Sequence, residues 1–565
     1  LMVKLADLGI KGRMWGWIYS FLSDRQVTCS IGNTIGQTAS SRTGLPQGSV
    51  ISPLLFNLFI KDMLQGIEGH HCKFADDGTL WHRGKDPNWL AQKVSKDVQI
   101  VHEWCNKWRM KLSLPKTEVT LFHVRPVQEQ LLDIFTIENT TLHYNATPKI
   151  LGITLDEQLS FSAHIGVTEK KANRALHVIR EVKGIARMST RNLIRLYVSM
   201  VRPILEYGCT VWQTVSKSEL KKLEAVQRKA LALCLSLPST AALDALEVAA
   251  GIPPLNLRYC EIAIRDVAKI AAKRSTYPLK AKLDECTHDS LLWNEKYVSP
   301  MGMAISQASE MKRTTGTSLE FIQPEPEYSD GAFVRSLDKP SYWSQLGSSK
   351  NRSTDQQEKG REVIAKLMQD GPEQCILCFT DGSCVPNPGP CGAGAVLYIP
   401  GSQEEICLKR PVTAHGSILL AELVAILAVL EHLCNSSNNS KCLRLFSDSQ
   451  TAIGIITLNW TSKNYCDVIR KIKNLIHQLE ADGWEITLYW TPGHTDIQGN
   501  EMADKLAKEA AAEAQDLDKN TSVITNQDIK KAARDSILDK WQNKWDISTT
   551  GREYYQFRPK TSFKQ

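Results

Sequence analysis

Cys375-Ile-Leu-Cys378-Phe-Thr-Asp381-Gly382-Ser383-Cys-Val-Pro-Asn387-Pro-Gly-Pro-Cys-Gly-Ala-Gly394-Ala-Val-Leu is the stretch on which the fold turns. An apolar strand ends on an Asp, a Gly/Pro-rich turn follows, and a second strand returns. An Asp at the end of a buried strand is costly unless a cation or hydrogen bonds satisfy it. The glycines let backbone amides approach a sugar or a phosphate closely. Cys375 and Cys378 form a C-x-x-C, but residues three apart on a strand point to opposite faces and cannot share a metal.

Outward from this stretch, three more acids fall at similar places. Glu422 lies inside the apolar helix pattern Ile418–Leu433, where a charge has no packing role. Asp448 follows the strand pattern Leu443-Arg-Leu-Phe-Ser447. Asp504 sits on a helix starting near Asn500, on the face shared with Ala507 and Ala511. Singly, Asp448 reads as a helix N-cap and Asp504 as a first-turn acid favoured by the helix dipole. Together they read as converging carboxylates, which bind hard cations through oxygen. Two such ions, roughly 3.5–4 Å apart, can activate water and stabilise a leaving oxygen in phosphodiester hydrolysis. From about Pro372 to Ala512 the residue pattern is strand, turn, strand, helix, strand, helix, strand, loop, helix, an α/β order.

The chain has 565 residues, 42% hydrophobic and 23% charged, enough for ordinary packed cores. Its length excludes a single small module. The formal charge of +7 is concentrated: Phe161–Leu235 holds 14 Lys+Arg against 5 Asp+Glu, which points to a polyanion partner. There, Leu220, Leu223, Val226, Ala230, Leu231 and Cys234 form an apolar stripe with Lys221, Lys222, Arg228 and Lys229 off it. Pro203 should kink or end the helix that begins near Leu193. Lys149–Leu155 reads as a short strand. Ser344–Lys359, rich in Ser, Gln and Asn, reads as a linker. The tail from Gln515 reads as one polar helix, roughly Gln527 to Trp545, with a basic end. Fifteen cysteines without a repeating spacing read as reduced thiols of an intracellular protein. The apolar window His415–Cys434 contains Glu422 and Glu431, so a buried helix is expected there, not a membrane span, and no membrane partner.

The second half resembles type-1 ribonuclease H over about 140 residues. The resemblance rests on Thr380-Asp-Gly-Ser with Asn387-Pro-Gly-Pro-x-Gly-x-Gly, then Ala421-Glu422, Ser447-Asp448-Ser449, Thr491-Pro-Gly-His494 and Gly499-Asn500-Glu-x-Ala503-Asp504. It implies a mixed five-stranded sheet flanked by helices. It also implies two Mg²⁺ held by Asp381, Glu422, Asp448 and Asp504, with Mn²⁺ able to substitute. His494 is implied to assist proton transfer and product release. Gly382, Ser383, Asn387 and Ser417 are implied to contact an RNA–DNA hybrid, whose 2′-hydroxyls mark the RNA strand. Two departures stand out. Ser417 is the only polar residue just before Ala421-Glu422, and no basic protrusion lies between Leu458 and Ile476. Weaker hybrid binding by the isolated domain is therefore expected.

The first half resembles the reverse transcriptase of non-LTR retrotransposons, from residue 1 to about 260. Gly44-Leu-Pro-Gln47-Gly48-Ser, expected to open a helix at Pro46, matches the template and nucleotide-side motif. Phe74-Ala-Asp76-Asp77 matches the catalytic motif, a metal-holding hairpin tip, although an Asp-Asp-Gly alone reads as an exposed turn. Leu114-Pro-Lys116-Thr, Ile150-Leu-Gly-Ile-Thr-Leu-Asp156 with His164, and Pro203-Ile-Leu-Glu-Tyr207 extend the match through a helical thumb. The implied sites are catalytic and metal-binding Asp76 and Asp77, with substrate contacts from Gln47, Gly48 and Lys116. The family's other catalytic Asp has no counterpart ahead of Gly44, and the opening at Leu1 looks like the middle of a domain. An N-terminally truncated product is expected, without DNA synthesis of its own.

The expected architecture is multidomain, α/β and α+β. It comprises partial fingers and palm (1–125), palm end and basic helical thumb (126–280), a linker (281–370), the ribonuclease H-like domain (371–515) and a helical tail (516–565). The expected partners are RNA–DNA hybrid, RNA and DNA, and the oligomeric state is open. The leading function is hydrolysis of RNA in hybrids. The alternatives are a working RNA-directed DNA polymerase, if an upstream acidic motif is supplied, and a non-catalytic nucleic-acid-binding relic.

Overall fold

A computed structural model describes residues 1–565 except 42, 124–135, 138–139, 186–187, 289–292, 295–296, 325–339, 346–352, 371–373, 403, 437–439, 459, 461, 463, 494–496, 519–521 and 564–565. The chain divides into two compact units, Leu1–Gly166 and Val167–Gln565.

In the second unit, the order is β1 (Ile376–Cys384), β2 (Gly389–Tyr398), β3 (Glu405–Gly416), α1 (Ile418–Asn435), β4 (Cys442–Ser447), α2 (Gln450–Thr457), α3 (Cys466–Ala481), β5 (Glu485–Trp490) and α4 (Gln498–Glu513). The five strands form one sheet in the order β3-β2-β1-β4-β5. β1–β2 and β2–β3 are antiparallel, whereas β1–β4 and β4–β5 are parallel. β3 is the strand that the residue pattern missed. It lies at the sheet edge, is half-exposed along most of its length, and carries Lys409-Arg410-Pro411. Its register with β2 shifts beside Pro411, at the one kind of place where a sheet tolerates Pro.

Strand alternation sorts the core into two layers. Ile376 and Cys378 pack with Leu423, Ile426, Leu430 and Ile472 of α1 and α3 on one face. Phe379, Val396 and Phe446 pack with Ala503 of α4 and Ile364 on the other. Among the described residues α1 alone is long and apolar enough to cross a membrane. Its apolar side chains are instead buried in the first layer.

Ile364 belongs to a helix over Thr354–Gln369, where a linker was expected. Ser353 and Gln356 form a reciprocal capping box at its start, which explains why this polar stretch is helical. Tyr342 and Trp343 also pack on the sheet's end, with the Tyr342 hydroxyl donating to the Trp490 carbonyl (3.1 Å). The linker reading fails because a few anchoring apolar residues outweigh the polar composition around them.

The expectation of reduced thiols fails at one pair: Cys375 and Cys442 form a disulfide. They are lateral neighbours at the starts of parallel β1 and β4, with Cα atoms 4.6 Å apart.

Preceding this domain is a helical region that includes Lys217–Leu235, Leu243–Ala250, Leu255–Ala271 and Pro300–Thr315. Lys221, Lys222, Arg228 and Lys229 are exposed, opposite buried Leu223, Val226 and Ala230, as the stripe predicts. Pro203 does not end its helix. A π-helical turn, Tyr197–Val201, joins Thr190–Leu196 to Arg202–Glu206 and absorbs the missing N–H. The tail helix Asn526–Ile547 is not polar all round. Ile529, Ala533, Ile537, Trp541 and Trp545 are buried, packing against Leu255–Ala271, Pro300–Thr315 and Val248.

Gln227, which the apolar stripe does not include, is fully buried. Its amide donates to Glu247 Oε1 (2.8 Å) and the Pro253 carbonyl (3.2 Å), and its own carbonyl accepts from the Tyr197 hydroxyl (2.6 Å). Burial pushes the Glu247 carboxyl up to about 8; Lys544 and the Gln227 bond oppose the rise, while Asp244 and Glu224 add to it. Glu247 is thus neutral in the fold and ionises at an ordinary carboxylate pH when unfolded. Its contribution to stability is complete below the ordinary carboxylate range and is lost as pH rises through about 8. Melting curves should show the wild type losing stability between pH 5 and pH 9 relative to Glu247→Gln. Parallel pH profiles for the two proteins would contradict the assignment.

The first unit contains two helices, Met2–Asp7 and Gly12–Leu22, a hairpin Arg25–Ile31/Thr34–Ser41, the helix Ser52–Phe59, a second hairpin His70–Phe74/Asp77–Trp81 and the long helix Pro87–Lys107. The expected strand Lys149–Leu155 is instead a tight hairpin, Lys149–Ile150 pairing Ile153–Thr154 about Leu151 and Gly152, both at positive φ. The His164 ring accepts from the Thr154 N–H (3.2 Å).

Candidate active site

β1 runs three residues past Asp381, so this Asp stands within a strand, not at its end. What ends there is the neighbour: β4 pairs with β1 only as far as Thr380↔Ser447. The carboxylate therefore opens into the gap beyond the β4 terminus, where Asp448 follows directly. Glu422 enters from the second turn of α1. The approach of α1 needs Gly382, because a Cβ there would lie 2.5 Å from the Glu422 backbone nitrogen.

Ligand-capable atoms of Asp381, Glu422 and Asp448 lie within 4.8 Å of one another. Asp381 and Glu422 are buried, and Asp448 is half-buried. Gly382 N–H donates to Asp381 Oδ1 (2.8 Å). Glu422 Oε2 is buried with no hydrogen-bond partner. Burial, then the charges of Asp448 and Asp504, push the Asp381 carboxyl up to about 8. Burial, then Asp448 and Asp381, push Glu422 well above the carboxylate range. Like charges crowded in a poorly solvated gap raise each other in this way unless a cation is shared between them. An orphaned buried carboxylate oxygen beside two further carboxylates is a donor set that fits a divalent cation bound through oxygen.

Asp504 stands apart from the trio. It lies beside Asp381, which feels its charge, but Oδ2 accepts from Lys508 Nζ (2.6 Å) one helical turn on. α4 reaches this position over two glycines of β2. A Cβ on Gly392 would lie 2.1 Å from the Ala511 nitrogen, and one on Gly394 would lie 2.3 Å from the Ala503 carbonyl. Ala503, Ala507, Ala510 and Ala511 supply the matching small face.

Ser383 is buried in β1, and Asn387 is exposed on the turn to β2. Asn387 Oδ1 accepts from the Ile418 N–H (3.3 Å) and so caps α1, whose N-cap residue Ser417 makes no side-chain cap. Ser417 instead shares a 2.7 Å hydrogen bond with the Tyr465 hydroxyl. His494 lies outside the described residues. Lys508 and Tyr465 were passed over in the sequence; an Asp–Lys pair at i, i+4 signals the first, and nothing local signals the second.

Asp76 and Asp77 sit exposed at the tip of the second hairpin, where Phe74 pairs Asp77 and Ala75 turns at positive φ. The pair thus stands at a hairpin tip, as the sequence leads us to expect. Among the described residues no third metal-ligating side chain completes a cluster with them. Gln47 and Gly48 form an exposed turn, and the helix begins at Ser52 with Pro53 in its first turn, not at Pro46. Lys116 is exposed on a short 3₁₀ turn.

The RNase H family matches residues 373–512, and the reverse transcriptase (RNA-dependent DNA polymerase) family matches residues 1–155. The chain is 31% identical over 146 residues to the ribonuclease H of Francisella philomiragia, covering 24% of this chain and 91% of that protein. It is 28% identical over 227 residues to the probable RNA-directed DNA polymerase from transposon BS of Drosophila melanogaster, covering 38% of this chain and 25% of that protein. It is 27% identical over 270 residues to the putative 115 kDa protein in the type-1 retrotransposable element R1DM of the same fly, covering 46% and 26%. The match therefore spans about a quarter of the length of these two retrotransposon proteins.

Proposed function

Because residues 373–512 make this chain a member of the ribonuclease H family, we propose that it hydrolyses the RNA strand of RNA–DNA hybrids endonucleolytically, within a retroelement protein. The observation that carries this reading is the convergence of Asp381, Glu422 and Asp448 within 4.8 Å, with Asp504 beside them.

In this reading Asp381, Glu422 and Asp448 hold divalent cations, Mg²⁺ in use and Mn²⁺ as a substitute, and Asp504 completes the set once Lys508 swings aside. When bound, such ions activate a water and stabilise the 3′ oxygen that leaves. The chain's own residues supply placement. The Gly382 N–H orients one Asp381 oxygen and leaves the other for a cation. The Asn387 turn and the Ser417 start of α1 flank the carboxylates and offer small polar groups to the 2′-hydroxyl side of a hybrid. Asn387 must exchange its bond to Ile418 for the sugar, so hybrid binding and the α1 cap compete. His494 is proposed to assist proton transfer.

The test is cleavage of a labelled hybrid by the full chain, with Mg²⁺ and with EDTA. Internal cuts in the RNA strand that vanish on chelation are expected. Intact hybrid under Mg²⁺ would reject the reading in favour of a non-catalytic binding relic. The same preparation, given a primer on RNA and deoxynucleotides, is expected not to extend it. Asp76 and Asp77 stand exposed without a third carboxylate among the described residues, and phosphoryl transfer between two ions needs a bridging one.

A further inference from the structure

Tyr465 stands in the left-handed region, at φ 60°, immediately before α3. A bulky residue rarely adopts this conformation, and one that does must be held in it by its surroundings. Its side chain is buried in the first core layer. Its N–H and its hydroxyl are both engaged. The N–H donates to Gln323 Oε1 (2.8 Å), and the hydroxyl shares the 2.7 Å bond with Ser417.

Ser417 is the N-cap residue of α1, and its carbonyl takes the first helical bonds, from the Leu420 N–H (2.9 Å) and the Ala421 N–H (3.3 Å). A Ser at this position ordinarily turns its hydroxyl onto the N–H groups of its own helix. Here the hydroxyl is drawn to Tyr465, and Asn387 does the capping. Glu422 follows in the second turn.

Gln323 is fixed in its turn by backbone pairing. Its N–H donates to the Ile524 carbonyl (2.8 Å), the Ile524 N–H donates to the Phe321 carbonyl (2.9 Å), and the Val523 N–H donates to the His415 carbonyl near the end of β3 (2.8 Å). Ile322 and Ile524 thereby form a parallel bridge. Ile524 is buried with Ile264 and Met311 of the helical region, whereas Val523 packs against the first layer of the sheet. Gln323 therefore reaches Tyr465 only where the helical region, the tail and the sheet are docked together. A hydrogen bond between two segments commonly adds stability and nothing more. This one lands on a strained residue that grips the start of the helix carrying Glu422.

We propose that Gln323, which lies ahead of the residues matching the ribonuclease H family, is a positioning residue for the carboxylate site. It holds Tyr465, Tyr465 holds Ser417, and Ser417 sets the start of α1, from which Glu422 enters. This role rests on the reading of Asp381, Glu422 and Asp448 as cation ligands. It makes cation binding depend on the docked helical region and tail as well as on the ribonuclease H domain.

The test is a Mg²⁺ titration of the full chain, followed by melting temperature and by hybrid cleavage. Gln323→Met keeps the length of the side chain and removes its acceptor. Tyr465→Phe removes only the hydroxyl. Gln323→Glu keeps an oxygen for the Tyr465 N–H. Gln323→Met and Tyr465→Phe should each raise the half-saturating Mg²⁺ concentration roughly tenfold, the usual scale for losing a group that orients a ligand. Gln323→Glu should titrate like the wild type, and cleavage by the other two should recover at saturating Mg²⁺. Q323M/Y465F should be no worse than either single variant, because both break one relay. Tyr465→Phe covers the case in which Gln323→Met misfolds. A lower melting temperature in metal-free buffer with an unchanged Mg²⁺ midpoint would make the contacts structural and overturn the proposal. Effects that multiply in the double variant would also overturn it. A wild type that takes up Mg²⁺ but cleaves nothing would reject the ribonuclease reading, while the Mg²⁺ midpoints would still decide the positioning role. A wild type whose melting temperature ignores Mg²⁺ would overturn both.

Discussion

Asp381→Asn should reduce hybrid cleavage by roughly three orders of magnitude or more, since several kcal/mol of transition-state stabilisation pass through the cations it is proposed to hold. The fold should survive. The amide keeps the carboxylate's shape and can still accept from the Gly382 N–H, and it removes one of the mutually repelling charges in the buried trio. In metal-free buffer the variant should therefore melt no lower than the wild type. Mg²⁺ should raise the wild-type melting temperature and leave the variant's unchanged, because an ion that binds only the folded state stabilises it by mass action. Cleavage by Asp381→Asn within tenfold of wild type would remove this residue from the site. A large fall in melting temperature would make its role structural.

The second large effect is expected from one methyl group placed 2.3 Å from a helix carbonyl. Gly394→Ala puts a Cβ against the Ala503 carbonyl, the Ala507 nitrogen at 2.5 Å and Leu506 Cβ at 2.9 Å. Two of these are backbone atoms and cannot rotate away, so α4 must lift from the sheet or the strand must buckle. Overpacking of this kind costs about 1–3 kcal/mol and sometimes more. Asp504 rides on the displaced helix, so cleavage should also fall on the order of a hundredfold, as a 1 Å misplacement can cause. Asp504→Asn separates the two effects, losing the carboxylate while leaving the helix seated. Chemical denaturation and cleavage rates of both variants give the comparison. If Gly394→Ala retains wild-type stability, the close seam between β2 and α4 is wrong.

The carboxylates were legible in the sequence because each occupies a place where a charge contradicts its surroundings. Glu422 interrupts an apolar helix, and Asp448 follows an apolar strand. Spacing alone could not say that Asp381 lies inside its strand, since that depends on where β4 stops beside it. Nor could it show that Asp504 is engaged by Lys508, or that Asn387 spends its side chain on capping α1. The edge strand Glu405–Gly416 was missed because its exposed face is polar and its bulge carries Pro411. The Thr354–Gln369 helix was missed because composition outvoted a capping box.

By itself the sequence determined what is written in local chemistry: the alternation and helical stripes, the Gly/Pro turn after Asp381, the order of the acidic motifs and the basic face of Lys217–Leu235. Only the tertiary structure decided which of those groups meet. It drew three carboxylates into one gap, left Asp76 and Asp77 exposed on a hairpin, joined Cys375 to Cys442, and folded the tail back so that Ile524 pairs with Ile322 beside Gln323. The physical reason is that propensity and periodicity act over a few residues. Proximity between residues hundreds of positions apart is set by which apolar faces find each other, here Trp541 and Ile529 on the helices around Val248 and Ile264.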